Sequence, residues 1–414
     1  MMLDRILPNK VYCGLDIGTQ SLKAALIKGA PQTGQWEILG IFEQPTCGYR
    51  DGSVTDLADF SECVAHTLNQ ISHKAGVKIR DVSVGIGASF MDVRPTHTVI
   101  PLVEKGSAII TQKDIRKIDR QSRLLGTEMD EDLIHGLPLS YQVDEVNSVL
   151  NPLGLHGRKL GAHSLMMVSP TNRVRNIMKA IHQAGYEVHN LCFGNYLAHL
   201  LSLTPEERAN GVLLIDFGAS ATTVLLFKDG APRFYERIPL GGQHITKSVA
   251  GALQVSFELA EEIKRSYGDL SSADFSNHEE ILVKKESAYL PVRREIIYHA
   301  VYETAQQVFS GIKDSLSRGG LRDQINRGAV LIGGGSALNG IIEIFEREVS
   351  IPARIGRLTA GAPKLVQQGA RFLTVLSVAQ AAFHNAFPGS RPEEEGTWFR
   401  RAVNRVRGLY QEYF

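Results

Sequence analysis

The sequence is poor in cysteine: four in 414 residues, Cys13, Cys47, Cys63 and Cys192, far apart and without metal-ligand spacing. That excludes a zinc ribbon or a disulfide-stapled framework and reads as reduced thiols in a cytosolic protein. An excess of one charge is also missing, since 45 basic residues against 44 acidic ones leave a formal net charge of +1. Nucleic-acid binders carry a basic surplus, so no nucleic-acid partner is expected. No run reaches the ~18 apolar residues of a spanning helix. The opening "MMLDRILPNKVYCGLDIG" lacks the long apolar segment of a signal peptide. Any encounter with a membrane is therefore expected at its surface. Histidines form no metal-binding pattern: His156 and His163 flank "GRKLGA" without ligand spacing, and His66, His73, His182, His189 and His199 read as ordinary helix or loop residues. Chain order offers no Ser/His/Asp or Cys/His grouping. What remains is an ordinary globular composition, 43% hydrophobic and 21% charged, at a length that allows roughly two to four domains.

Two segments share one grammar of apolar run, Asp, apolar residue, Gly, small polar residues, apolar run. They are "KVYCGLDIGTQSLKAALIKG", Lys10 to Gly29, and "GVLLIDFGASATTVLLFKDG", Gly211 to Gly230. A separation of about two hundred residues is far too long for a solenoid period. It fits two duplicated α/β halves facing each other across a cleft. Helical periodicity follows in Asp56 to Gly76, with Leu57, Phe60, Val64, Leu68 and Ile71 on one face. Helices are also predicted to end at Gly185 and Gly268, and "REIIYHAVYETAQQVFSGIKDSL" is a long one. "GAVLIGGGSALNGIIEIFEREV" reads as strand, triple-glycine turn and helix.

A strand hairpin with small residues at its tip presents outward backbone N–H groups, and such a nest binds anions. In "DIGTQSLK", Gly18 permits close approach while Thr19 and Gln20 add donors. Alternation along the second strand aims Lys23 away from the cleft. Asp16 stands where a carboxylate holds a hydrated magnesium beside phosphates. In "DFGASATT", Asp216, Gly218 and Ala219 take the matching places. Two such hairpins clamp a polyphosphate, and positioning with magnesium does most of the chemistry. Gly333 to Gly335 lie at a strand-to-helix junction where backbone can approach a nucleotide closely.

This order of elements resembles the superfamily of actin, sugar kinases and heat-shock ATPases. "IPLGGQHITKSVAGAL" followed by "AEEIKRSYG" resembles its bacterial actin-like branch, and "DEVNSVLNPLGLHGRKLGAHSLMMVSP" resembles the inserted subdomain of the FtsA family of division proteins. "GAVLIGGGSALNGIIEIFEREVSIPARIG" is similar to the nucleotide segment of that family. The resemblance runs from about Val11 to Phe414. It implies an actin-like, ribonuclease H-like duplicated α/β fold with two lobes around a nucleotide cleft, an inserted 1C (SHS2) subdomain and a C-terminal amphipathic helix. Mapped onto this chain, subdomain 1A is 1–84 with 167–207, 1C is 85–166, 2A is 208–237 with 312–388, and 2B is 238–311, followed by a linker at 389–396 and the terminal helix at 397–414.

The resemblance further implies ATP and magnesium as cofactors. Asp16, Gly18, Thr19 and Gln20 would face the phosphates from one side, and Asp216, Gly218 and Ala219 from the other. Both aspartates would hold magnesium through water. Gly242 would lie near the sugar, Glu261 and Lys264 would reach ribose and adenine from one helix face, and Gly334, Gly335 and Ser336 would line the adenine end. A solvated i,i+3 ion pair is the plain alternative for Glu261 and Lys264. Implied partners are the C-terminal peptide of FtsZ, further copies of the chain in head-to-tail filaments, an anionic membrane surface and later division proteins. Localisation would be cytoplasmic, on the inner membrane face at the division site.

Two departures from the family pattern stand out. At the second hairpin Ser220 takes the place of a Gly, Ala221 of a Thr and Thr223 of an Asp, so ATP binding with slow or absent hydrolysis is expected. The added Cβ of Ser220 falls where a bare backbone is preferred. For the FtsZ peptide, Arg293 and Arg294 are available at a helix start, but the later arginine is replaced near Glu303. Competing readings are a PilM-like scaffold of the type IV pilus machine and a sugar or acetate kinase. The latter needs a cleft carboxylate beyond the two hairpin aspartates, and the sequence offers none.

The stretch "PGSRPEEEG" reads as a flexible linker. On a helix, Trp398, Phe399, Ala402, Val403, Val406, Leu409, Tyr410, Tyr413 and Phe414 share an apolar face, with Arg400, Arg401, Arg405 and Arg407 toward the other face and its borders. That composition lies in a bilayer interface, arginines at anionic headgroups.

Overall fold

A computed structural model of the chain describes residues 10–30, 34–102, 107–271, 280–285, 288–358 and 369–384. Two compact units emerge, one made of Met1–Val93, Glu128–Asp132 and Val168–Ala386, the other built on Arg94–Thr127 and Leu133–Met167. The linker and amphipathic helix read from the sequence lie outside the described residues.

The larger unit begins with a meander of β1 (Lys10–Ile17), β2 (Ser21–Ala30) and β3 (Gln35–Pro45). A short ladder of β4 (Tyr49–Arg50) and β5 (Ser53–Val54) leads into α1 (Leu57–Ala75). The Asp56 carboxylate caps this helix by accepting the Asp59 N–H at 2.9 Å, and Gly76 closes it in the left-handed conformation at φ 64°. Phe60, Val64, Leu68 and Ile71 are buried along one stripe, each such side chain contributing about 1.5–3 kcal/mol. β6 (Asp81–Ile86) then pairs parallel to β1.

The smaller unit holds β7 (Asp92–Pro101), β8 (Ala108–Ile109), α2 (Gln112–Leu125), β9 (Glu131–Val143), β10 (Val146–Val149), β11 (His156–Gly157) and β12 (Lys159–Pro170). Its main sheet runs β10-β9-β12-β7. Thr111 and Asp114 form a reciprocal capping box on α2, whose Ile115 and Ile118 join Ile100, Tyr141, Val143 and Leu160 in a small core.

Returning to the larger unit, α3 (Thr171–Gln183) and β13 (Glu187–Phe193) complete a first sheet ordered β13-β6-β1-β2-β3. Short helices α4 (Gly194–Leu197), α5 (His199–Ser202) and α6 (Pro205–Asn210) bridge to a second copy. That copy has β14 (Val212–Phe217), β15 (Thr222–Lys228), β16 (Ala231–Ile238), α7 (Gly242–Leu253), α8 (Phe257–Tyr267), β17 (Glu280–Lys285), β18 (Ala288–Arg293), α9 (Arg294–Arg318), β19 (Ala329–Ile332), α10 (Ile341–Val349) and β20 (Ala353–Ile355). Its sheet is ordered β16-β15-β14-β19-β20. Strand for strand the two sheets correspond: an antiparallel meander, then two parallel additions beside its first strand. β1 and β14 are near-continuous apolar runs because both faces of each sheet's centre are covered.

α11 (Leu373–Phe383) is buried almost all round. The sequence grouping puts it with the second lobe, but it packs on β1 and β2 of the first sheet. There a Cβ at Gly14 would come within 2.7 Å of the Val375 carbonyl oxygen. Chain continuity does not disclose this return, since an all-apolar helix fits either sheet. Among the described residues no helix is long and apolar enough to cross a membrane.

Candidate nucleotide site

The β1–β2 and β14–β15 hairpins meet at a cavity of about 1300 Å³ within the larger unit. Every cleft residue read from the sequence lines it: Asp16, Gly18, Thr19, Gln20, Asp216, Gly218, Ala219, Gly242, Glu261, Lys264, Gly334, Gly335 and Ser336. Arg294 lines it as well, its guanidinium 3.5 Å from Asp269, whereas Arg293 is exposed at the start of α9.

Each hairpin tip is oriented by hydrogen bonds on its outer side. The Gly242 and Gln243 N–H groups, first in α7, donate to the Gly218 and Ala219 carbonyls at 2.9 Å each. Across a trans peptide, carbonyl and following N–H point in opposite directions. The Ala219 and Ser220 N–H groups therefore point away from α7, on the side of the cavity both residues line. Gly241 makes this approach feasible, because a Cβ there would sit 2.6 Å from the Gly218 oxygen. At the first hairpin Thr46 does the same work. Its hydroxyl donates to the Gly18 carbonyl at 2.8 Å and its N–H to the Gln20 carbonyl at 3.1 Å. The N–H groups of Thr19, Ala219 and Ser220 donate to no carbonyl or side chain among the described residues. These are the unclaimed donors of an anion-binding nest.

Behind the tips stand two buried carboxylates. Burial pushes Asp216 up to about 6, and the charge of Asp16 adds to it; Lys23, Asn195 and Thr374 work the other way. The Asn195 amide donates to Asp216 Oδ2 at 2.8 Å, and the Thr374 hydroxyl lies 3.4 Å from the same oxygen. Asp16 is likewise raised by burial, eased by Lys23 and worsened by Glu43. A pair of buried acids short of positive charge fits a hydrated divalent cation held through water.

Lys23 corrects the sequence expectation. Its ammonium lies 3.8 Å from Asp16 Oδ2, and it lines the cavity. It pairs directly opposite Asp16 in the antiparallel ladder, and directly opposed residues share a face. The Cβ of Ser220 is also tolerated. Ser220 is not among the residues with positive φ, so a side chain costs no backbone strain there.

Glu261 and Lys264 form their i,i+3 ion pair at 2.6 Å, but it is buried rather than solvated. Lys264 Nζ also donates to the Gly242 carbonyl at 3.1 Å and to Thr246 Oγ1 at 2.9 Å, and these two bonds tie α8 to α7. Burial would raise the Glu261 carboxyl, but hydrogen bonds from Lys264, Thr246 and Arg265 hold it at about 2. At the far end, Gly333 carries φ 87° directly after β19, and a Cβ there would meet Asp216 Oδ1 at 2.3 Å. The Ser336 hydroxyl closes the turn onto the Gly333 carbonyl at 2.7 Å.

The sequence reading missed Thr46, Asn195, Thr246 and Thr374. Thr246 lies one helical turn after Gly242 and could have been read from that spacing. The others carry no local signal.

Two copies of one five-stranded sheet, each offering a nest and a buried aspartate to a shared cleft, define an actin-like α/β protein. A family model described as "Cell division protein FtsA" matches residues 213–377, and one for the "SHS2 domain inserted in FTSA" matches 91–168. The chain belongs to the FtsA family. It is 28% identical to the cell division protein FtsA of Pseudomonas aeruginosa over 349 residues, covering 84% of this chain and 83% of that protein. It is 23% identical to that of Bacillus subtilis over 380 residues, covering 91% and 84%. Among solved structures, the PilM–PilN type IV pilus biogenesis complex aligns with TM-score 0.66 at 18% identity, covering 90% of this chain and 98% of that one. MreB 5 of Spiroplasma citri bound to AMPPNP aligns with TM-score 0.50 at 12% identity, covering 95% and 98%. These likenesses carry the fold; the family models separate the chain from the PilM reading.

Proposed function

We propose that this chain is an ATP-binding actin-like adaptor of cell division, one that polymerises and tethers FtsZ filaments to the cytoplasmic face of the membrane. The observation that carries the nucleotide part is the opposed pair of nests with Asp16 and Asp216 behind them. Unclaimed N–H groups of Thr19, Ala219 and Ser220 bind phosphate oxygens from both sides. Asp16 and Asp216 would hold magnesium through water, where it would supply charge to neutralise the phosphates. Gly334 to Ser336 give the base a wall without side-chain bulk, and Gly242, Glu261 and Lys264 frame the sugar. The adaptor part rests on family membership, on Arg293 and Arg294 as receivers of an acidic peptide, and on the amphipathic pattern of 397–414. Head-to-tail self-association and contacts with later division proteins follow the family.

Hydrolysis is slow or absent in this reading, because Ala221 lacks the hydroxyl and Thr223 the carboxylate found at those places in the usual hairpin. Titration calorimetry with magnesium ATP, with turnover measured in parallel, tests both statements. Micromolar or tighter binding with little phosphate release is expected. Failure to bind removes the nucleotide reading, and turnover at the rate of a dedicated ATPase removes the claim of weak hydrolysis.

A further inference from the structure

Cys47 and Cys63 are separated along the chain but touch in the fold. Cys63 is buried on α1, and Cys47 is exposed in the turn just after β3. The Cys47 N–H donates to Cys63 Sγ at 3.4 Å, and the Gln44 amide donates to the same sulfur at 3.3 Å. The Cys63 thiol lies 3.4 Å from the Pro45 carbonyl oxygen, and the two thiols also hydrogen-bond each other. Cys13 and Cys192 are buried in strands of the first sheet, where burial raises both thiols. The exposed Cys47 is therefore the thiol that an oxidant in solution meets first.

The pair adjoins the nucleotide site through one residue. Thr46 holds the Gly18 carbonyl with its hydroxyl and the Gln20 carbonyl with its N–H. On the other side of Cys47, Gly48 has no room to move toward α1. Its φ is 65°, and a Cβ there would sit 2.4 Å from the Asp56 carbonyl oxygen and 2.5 Å from the Phe60 nitrogen. Its own carbonyl accepts the Thr55 and Asp56 N–H groups at 2.8 and 3.1 Å. A disulfide needs its sulfurs about 2 Å apart, well inside hydrogen-bond contact. Closing that gap pulls Cys47 toward α1, and with Gly48 fixed the displacement falls on Thr46.

We propose that a peroxide converts Cys47 and Cys63 to a reversible disulfide, and that this bond weakens nucleotide binding by drawing Thr46 off the first hairpin. The second half rests on the nucleotide reading above. In the first step the Cys47 thiolate attacks one peroxide oxygen. The O–O bond breaks, hydroxide leaves and takes up a proton, and Cys47 becomes a sulfenic acid. The Cys63 thiolate then attacks the Cys47 sulfur. The S–S bond forms as the S–O bond breaks, and the departing hydroxide becomes a second water. Two thiols are oxidised and one hydrogen peroxide is reduced to two waters. A dithiol reductant reverses the change by thiol–disulfide exchange. Disulfides of this transient kind are the ones a reducing cytosol permits.

The test treats the full chain with hydrogen peroxide, maps its peptides without reduction, and titrates magnesium ATP by calorimetry before treatment, after it, and after dithiothreitol. A peptide linking 47 to 63 is expected. Affinity should fall about tenfold on oxidation and return on reduction. Cys47→Ser should form no link and keep its affinity within about twofold through the same treatment. Cys63→Ala should stop at the sulfenic acid of Cys47, which dimedone traps. A treated chain in which 47 and 63 stay unlinked overturns the disulfide. A link that leaves affinity unchanged, or an equal loss in treated Cys47→Ser, overturns the coupling while nucleotide binding stands. A reduced wild type that binds no nucleotide overturns the nucleotide reading and the coupling with it, and the peptide map then decides the disulfide alone.

Discussion

Asp216 illustrates a side chain whose placement opposes stability. Its carboxyl is buried beside a second acid and lifted to about 6, so the folded chain holds that proton more tightly than the unfolded chain does. The sign follows: the penalty is complete above about pH 6 and gone below the ordinary value of 3.8. Asp216→Asn keeps the shape and the bond from Asn195 but removes the charge. Without nucleotide or magnesium, chemical denaturation at pH 7.5 should show the variant up to about 3 kcal/mol more stable. The advantage should shrink as pH falls through 6. Magnesium ATP binding should be lost in the same variant, since the carboxylate that destabilises the fold is the one proposed to hold the cation. A variant less stable than wild type at pH 7.5 would show that the charge is already compensated.

At the scale of elements, the second hairpin is a working nest only because α7 holds its carbonyls from behind. Gly241 has an extended backbone at φ −161° that any residue adopts, so the reason for glycine there is room alone. Gly241→Ala puts a methyl group 2.6 Å from the Gly218 oxygen and 2.7 Å from that of Ala219. The hairpin must lift, losing the two bonds from Gly242 and Gln243. A cost of about 1–3 kcal/mol in urea denaturation is expected, with nucleotide affinity reduced at least about tenfold. Unchanged affinity would separate the hairpin's orientation from ligand binding. The sequence announces the paired glycines of "IPLGGQ", but not that Gly241 is the one pressed against carbonyl oxygens.

For the whole molecule, the proposed division of labour is between a nucleotide-binding body and a terminal surface-active segment. Deleting 397–414 should abolish co-sedimentation with vesicles containing anionic lipid and leave magnesium ATP affinity within about twofold. Loss of both activities would mean that the segment belongs to the folded body. An FtsZ C-terminal peptide should reach the vesicles only with the full chain.

The sequence by itself determined the duplicated grammar of the two hairpins, the helices with their caps, and the triple-glycine turn. Those signals are local: alternation, 3.6-residue periodicity and glycine where a side chain has no room. The family resemblance assembled them into one cleft. What only the tertiary structure decided was the company those residues keep. Asp216 meets Asn195 and Thr374, the latter 158 residues away; Thr19 meets Ser220 across 201. Lys23 turns toward Asp16 through strand register, and α11 returns to the first sheet. Partners so distant in the chain leave no periodic trace, because what selects them is a shared face, a free donor and the space between two lobes.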